Sequence, residues 1–183
     1  MAEEGLDVPE TKHASGALGQ RVAIFTALLA ALGAVLGYQG NHLMHEVLLK
    51  KNEAVLKKAE ATNEWNYYQA TSTKAHLIEL AQQLVPAERS AQFDEKIKKY
   101  VAQKDELQAK AQTFDEASRH ALDESEQLEQ PHVRLATAMI FLQIAISLAS
   151  ITALTQRAWL LIVAFVSAAG AIGLWLTTLL GVG

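Results

Sequence analysis

Leu80-Ala81-Gln82-Gln83-Leu84-Val85-Pro86-Ala87-Glu88-Arg89 lies at the centre of the long charged half of the chain. On either side the sequence keeps a helical pattern, from Asn41 to Val85 and from Ala87 to Gln130, about 45 and 44 residues. At a rise of 1.5 Å per residue each segment would run roughly 65 Å. Proline lacks a backbone donor and disfavours helix in the residue before it, yet suits a helix's first turn. Pro86 therefore predicts a turn between two long antiparallel helices of nearly equal length. The stretch 41–131 is expected to be a coiled-coil-like helical hairpin with its tip at Pro86.

Outward from the hairpin, both open ends run into apolar sequence. Val22–Tyr38 carries no charge, and with its flanks the span 21–40 is long enough to cross a bilayer. After Gln130-Pro131, where the proline is expected to start a new helix, 132–154 is apolar beyond Arg134. Thr155-Gln156-Arg157 is a short polar break before a third apolar run, 158–181. The fold class expected is all-α: an integral membrane protein with three transmembrane helices and a long extramembrane hairpin. Three crossings put the N- and C-termini on opposite sides. Lys50, Lys51, Lys57, Lys58, Arg119 and Arg134 near the hairpin base outnumber Lys12, Arg21 and Arg157 opposite, which leans the hairpin toward the cytoplasm. Residues 1–20 read as an acidic tail (Glu3, Glu4, Asp7, Glu10) with no periodic pattern and no basic secretory start.

Composition narrows the function classes. The 183 residues hold no cysteine, which excludes disulfides and thiolate metal sites. A net charge of -4 gives no nucleic-acid signature. No Gly-rich phosphate loop, nucleophile elbow or dense carboxylate pair appears. His42 and His45, one turn apart beside Glu46, with His132 on the returning chain, have residue types that suit zinc or copper. They read instead as interfacial histidines, and neither a metal nor a cofactor is expected.

The first arm carries two stripes. One is a heptad seam with Leu49, Leu56, Asn63, Ala70, Leu77 and Leu84 at a, and Asn52, Ala59, Asn66, Thr73 and Leu80 at d. The other, Val47, Ala54, Ala61, Tyr68 and Ala75, lies on nearly the opposite side, flanked by Leu48 and Val55. The second arm repeats Phe93, Tyr100, Leu107, Phe114, Ala121 and Leu128 every seven residues, beside Ile97, Lys104, Ala111, Ser118 and Ser125. Pairing about Pro86 is expected to set Phe93, Tyr100, Leu107 and Phe114 against Leu56, Ala59, Asn63, Ala70, Leu77, Leu80 and Leu84. Val47, Ala54, Ala61, Trp65, Tyr68 and Ala75 are then left over, and a helix with two apolar faces needs two neighbours. These six are the expected oligomer interface. Trp65, Tyr67 and Tyr68, beside Asn63, Asn66 and Gln69, suggest a polar-aromatic packing layer.

In the apolar spans, Gly33-Ala34-Val35-Leu36-Gly37 is a literal GxxxG, a ridge that lets helices approach closely in lipid. Gly33, Gly37 and the intramembrane Gln143 are the candidates for helix packing, Gln143 by hydrogen bonding.

Lys51-Asn52-Glu53-Ala54-Val55, followed by Asn63-Glu64-Trp65-Asn66-Tyr67-Tyr68-Gln69-Ala70 and Lys74, resembles a bacterial membrane family, domain-of-unknown-function family 4337. The resemblance covers Arg21 to the C-terminus and the order one span, helical arm, two spans. It implies a multi-pass protein of the bacterial inner membrane and brings no catalytic residues with it. A basic, His-bearing tail would fit the family; this tail is short and acidic. The function expected is a non-enzymatic oligomeric scaffold at the membrane. Its partners would be membrane lipids, copies of itself and a further protein. The alternative is an oligomeric pore or transport accessory built around Gln143, Ser147 and Ser150.

Overall fold

A computed structural model describes residues 17–181, with the side chains of Ala17, Ala87 and Glu88 left aside. The described residues form three helices and no strand: α1 (Ala17–Gln83), α2 (Ala87–Thr155) and α3 (Ala158–Leu179). The acidic tail expected over 1–20 lies outside the described residues as far as residue 16, and Ala17–Gln20 already belong to α1. All three helices contain a stretch long and apolar enough to cross a membrane.

Helix α1 ends where the proline dictates. The Leu84 amide donates to Ala81 O at 3.2 Å, and Pro86 O accepts from Arg89 N at 2.9 Å, opening the first turn of α2. Gln82 fastens the tip, its amide donating to Ser90 Oγ (3.1 Å) and Asp94 Oδ1 (2.6 Å).

Pro131 behaves otherwise than its sequence context predicts. Instead of starting a new helix it lies inside α2, which runs through it to Thr155. The proline cannot donate to Gln127 O, a loss of about 3 kcal/mol in an isolated helix. Leu135 and Ala138 just beyond are completely buried, so packing there holds the helical register across the defect.

Contacts divide the chain into two units, His42–Gln130 and the segments up to Asn41 and from Pro131 onward. In the first unit α1 and α2 pair antiparallel, and each step of 14 forward on α1 is matched by 14 back on α2. Ser118 Oγ donates to Ala54 O at 2.8 Å, Lys104 Nζ sits 5.3 Å from the Tyr68 ring, and Gln82 meets Ser90. The same register sets Ala61 opposite Ala111, Ala75 opposite Ile97 and Val47 opposite Ser125. A side-chain hydroxyl can reach a neighbouring helix's carbonyl only where both helices carry small residues. The buried residues of the pair are accordingly small: Val47, Ala54, Ala61, Thr71 and Ala75 on α1, and Ala111, Ser118, Ala121 and Ser125 on α2.

This corrects the assignment of faces. The stripe that the sequence left over is the one α2 covers. The heptad seam expected to meet the second arm stays outside: Leu56, Leu77, Leu80 and Leu84 are 58%, 61%, 56% and 86% exposed. Ala59, Asn63 and Ala70 are exposed with them. Phe93, Tyr100, Leu107 and Phe114 do turn inward, but only to half-burial.

The second unit is a three-helix bundle. Gly33 packs so closely on α2 that a Cβ there would lie 3.0 Å from Leu142 Cδ2. Phe25 and Phe165 stack with centroids 4.3 Å apart, and Trp175 Nε1 donates to Gln39 Oε1 at 2.8 Å. These pairs make α1 and α3 parallel, with α2 antiparallel to both. Val22, Leu29 and Leu36 from α1 form the core with Leu135, Leu142, Ala145 and Ala149 from α2 and Ala164, Ala168 and Ala171 from α3.

Candidate functional site

The first arm's outer face is the most distinctive surface of the hairpin. Every a and d position of its heptad seam from Leu49 to Leu84 is exposed. Near the base the seam is broad, with Leu48, Leu49, Val55 and Leu56 together; toward the tip it is Leu77, Leu80 and Leu84. Asn63 and Asn66 lie between these two apolar patches, with Tyr67 beside them at 63% exposure. The seam arises because helical periodicity puts two stripes on opposite sides of one helix, and the smaller residues win the intramolecular contact.

The sides of the pair are fastened by charge. Asp115 accepts from Lys58 Nζ at 2.7 Å and Trp65 Nε1 at 3.0 Å. The Lys58 ammonium first, then the Trp65 N–H, hold its carboxyl below the ordinary value. Lys50 Nζ reaches Glu124 Oε2 at 2.7 Å, raising the lysine and lowering the glutamate. Lys51 pairs with Glu129 at 3.0 Å. Trp65 and Tyr68 meet edge to face at 5.6 Å. The aromatic block is therefore split: Trp65 and Tyr68 turn to the second arm of their own chain, and Tyr67, Asn63 and Asn66 turn outward.

The expected oligomer-interface residues are brought together, but by their own chain. Val47, Ala54, Ala61 and Ala75 are at most 2% exposed, and Trp65 and Tyr68 are half-buried between the arms. Pairing small faces across a hairpin was readable in principle, since Ala54, Ala61 and Ala75 share a seven-residue step with Ala111, Ser118 and Ser125. The leucine seam is the more hydrophobic of the two, so hydrophobicity alone favours it for the contact.

The residues considered for metal do not form a chelate. His42 Nε2 is 3.5 Å from Glu46 Oε1, and His132 Nδ1 lies 3.1 Å from Gly40 O. Among the described residues no group of three or more His, Asp or Glu side chains converges on one point. In the bundle, Gly33 and Gly37 face Leu142 and Met139 of α2. Gln143 is on α2's outward side, in a shallow groove lined by Met139, Ile140, Ile144, Ser147 and Leu148.

A family model described as Domain of unknown function (DUF4337) matches residues 18–181. The chain belongs to this family. The DUF4337 match takes in both units, including the block Trp65-Asn66-Tyr67-Tyr68-Gln69-Ala70 and all three apolar stretches. No curated protein and no solved structure matches the chain.

Proposed function

We propose that the protein is a non-enzymatic membrane scaffold. Three spans anchor it in the bacterial inner membrane, and its first arms join those of further copies in a parallel coiled coil. The observation that carries this reading is the unfilled heptad seam on α1. A pair of long helices whose buried residues are mostly Ala, Ser and Thr gains little from burial, while each leucine outside forgoes about 1.5–3 kcal/mol. A seven-residue repeat of such residues is the pattern that another helix fills.

The occupant follows from the same stripe. Copies anchored in one membrane by the same spans start their first arms at the same level, which favours parallel, in-register pairing. In that arrangement Asn63 meets Asn63, and an amide that both donates and accepts can satisfy its twin. A buried Asn at an a position fixes register at some cost in stability. The bundle supports the membrane part of the proposal. Its outward residues are apolar on every side, among them Ile24, Leu28, Ile140, Ile162 and Val166, which suits lipid and not water. The pore alternative has less to stand on. Ser147 and Ser150 donate to Gln143 O and Ile146 O of their own helix, so the polar stripe it requires is largely spent. The positive charges at the hairpin base lean it toward the cytoplasm.

Cross-linking in native membranes tests the seam directly, because the chain has no cysteine of its own. Leu56→Cys and Leu77→Cys should each give disulfide-linked dimers. Leu56→Glu combined with Leu77→Glu should reduce the detergent particle to one chain with its helicity intact. An unchanged particle mass in that double variant would reject the seam as the joining surface.

A further inference from the structure

The membrane-side groove around Gln143 carries a second inference. In the apolar spans every serine and threonine side chain among the described residues has a partner. Thr26, Thr137, Ser147, Ser150 and Thr152 each donate to the carbonyl four residues back. Thr177 and Thr178 donate to Leu174 O. Ser167 donates across to Phe141 O at 2.7 Å, and Trp175 satisfies Gln39. Gln143 is different: among the described residues nothing in its own chain bonds its amide. Its side chain is exposed, near the midpoint of 133–154, where a bilayer has no water to offer.

We infer that Gln143 is a self-pairing contact through which α2 of one copy docks on α2 of another within the membrane. This rests on reading the apolar end of α2 as a span, and it adds a contact separate from the seam on the first arm. The carboxamide supplies both a donor and an acceptor, so two copies meeting with the same face can exchange reciprocal bonds. Copies inserted the same way carry parallel α2 helices, which brings residue 143 of one to the level of residue 143 of the other. The surroundings suit a helix. Ile140, Ile144, Ser147 and Ile151 follow one outward stripe at helical spacing, and Ser147 is small enough to let a neighbour approach. A lipid chain would fill the groove equally well in shape and would leave the amide unsatisfied. That chemical demand selects a second copy over lipid.

The experiment places single cysteines in full-length protein in native membranes, followed by oxidation. Ile140→Cys, Ile144→Cys and Ser147→Cys sit on the groove; Ile162→Cys and Val166→Cys sit on the outer side of α3 and serve as controls. Dimers should form at the three groove positions and not at the controls. Adding Gln143→Leu to Ser147→Cys should cut the dimer yield roughly five- to tenfold, the size expected from losing a reciprocal pair of interhelical hydrogen bonds in a membrane. Equal yields at groove and control positions, as a lipid-filled groove would give, overturn the inference. So does an undiminished yield with Gln143→Leu. Two further readings separate this failure from failure of the scaffold reading. Retention of the protein in the membrane pellet after alkaline extraction reports on the spans, and Leu56→Cys dimers report on the seam.

Discussion

Both units leave large apolar side chains on their outside, and the two kinds of exposure mean different things. In the bundle Ile24, Leu28, Ile140, Phe165 and Val166 point outward on all three helices, and no charged face interrupts them. Apolar exposure in every direction describes a solvent, and under the proposed membrane reading that solvent is hydrocarbon. In the hairpin most of the exposed leucines follow one heptad stripe on α1, with Leu48 beside it and Leu122 on α2 apart from it, while Lys50, Lys58, Glu106 and Lys110 occupy other faces. Periodic exposure on one side supports the proposed partner, because water would meet all sides alike. On the reading proposed above, the direction of exposure, more than its amount, separates a face for lipid from a face for another chain.

The sharpest way to break that comparison is to put the same charge on the two faces of α1. Ala61 is completely buried against the second arm. Ala61→Glu should cost the hairpin more than about 3 kcal/mol, since a carboxylate there has neither room nor partner. Helicity by circular dichroism should fall. Leu77→Glu, on the open seam, should leave helicity intact and weaken only assembly. If the two substitutions behaved alike, the faces would have been assigned wrongly.

Gly33 offers the corresponding test in the bundle, at a smaller scale. A Cβ there would already press on Leu142 Cδ2, and Leu142 is completely buried and cannot swing away. Gly33→Leu should destabilise the bundle by about 1–3 kcal/mol through overpacking. Its signature would be a lower thermal midpoint for the detergent-solubilised bundle with the hairpin unaffected. Gly170 has open space where a Cβ would stand, so Gly170→Ala is the matched control.

The contrast between these two sites also shows what the sequence made legible. The apolar stretches, the tip at Pro86 and the antiparallel course of the arms were all readable. Each depends on composition or on a residue whose backbone chemistry leaves little choice. The choice of face on α1 was not, because hydrophobicity ranks Leu49, Leu56 and Leu77 above Ala54, Ala61 and Ala75. The hairpin ranks them by closeness of approach. Small residues on α1 meet small residues on α2, and Ser118 reaches the main chain of Ala54. Pro131 escaped for a related reason: local rules predict a break, while the burial of Leu135 and Ala138 keeps the helix going. Trp65 is expected in a polar-aromatic layer, and its bond to Asp115 joins the arms of one chain. No periodicity on α1 alone reveals which residue on α2 an indole N–H will find.

The smallest effect expected distinguishes the units by what fastens them. In the bundle the cross-helix ties described here, Phe25 on Phe165, Ser167 on Phe141 O and Trp175 on Gln39, do not titrate. In the hairpin Asp115 joins the arms as a carboxylate, its pKa lowered chiefly by Lys58 and then by Trp65. A carboxyl depressed in the folded state contributes stability that is fully present above its unfolded value, near 3.9, and is lost as pH falls through the folded one. Glu124, lowered by Lys50, behaves in the same way. The hairpin's thermal midpoint should therefore stay level from neutrality down to about pH 5 and decline below about pH 4. Asp115→Asn should remove part of that decline, because an amide oxygen still accepts from Trp65 but no longer carries the charge that acid would neutralise. The change should be slight, since solvent reaches both Lys58 and Asp115 and weakens their attraction. Tryptophan fluorescence followed through the titration reports on Trp65, with Trp159 and Trp175 substituted by phenylalanine to isolate it. A decline of equal steepness in wild type and Asp115→Asn would mean that the arms are held by their Ala and Ser packing alone, with the charges at their sides merely solvated.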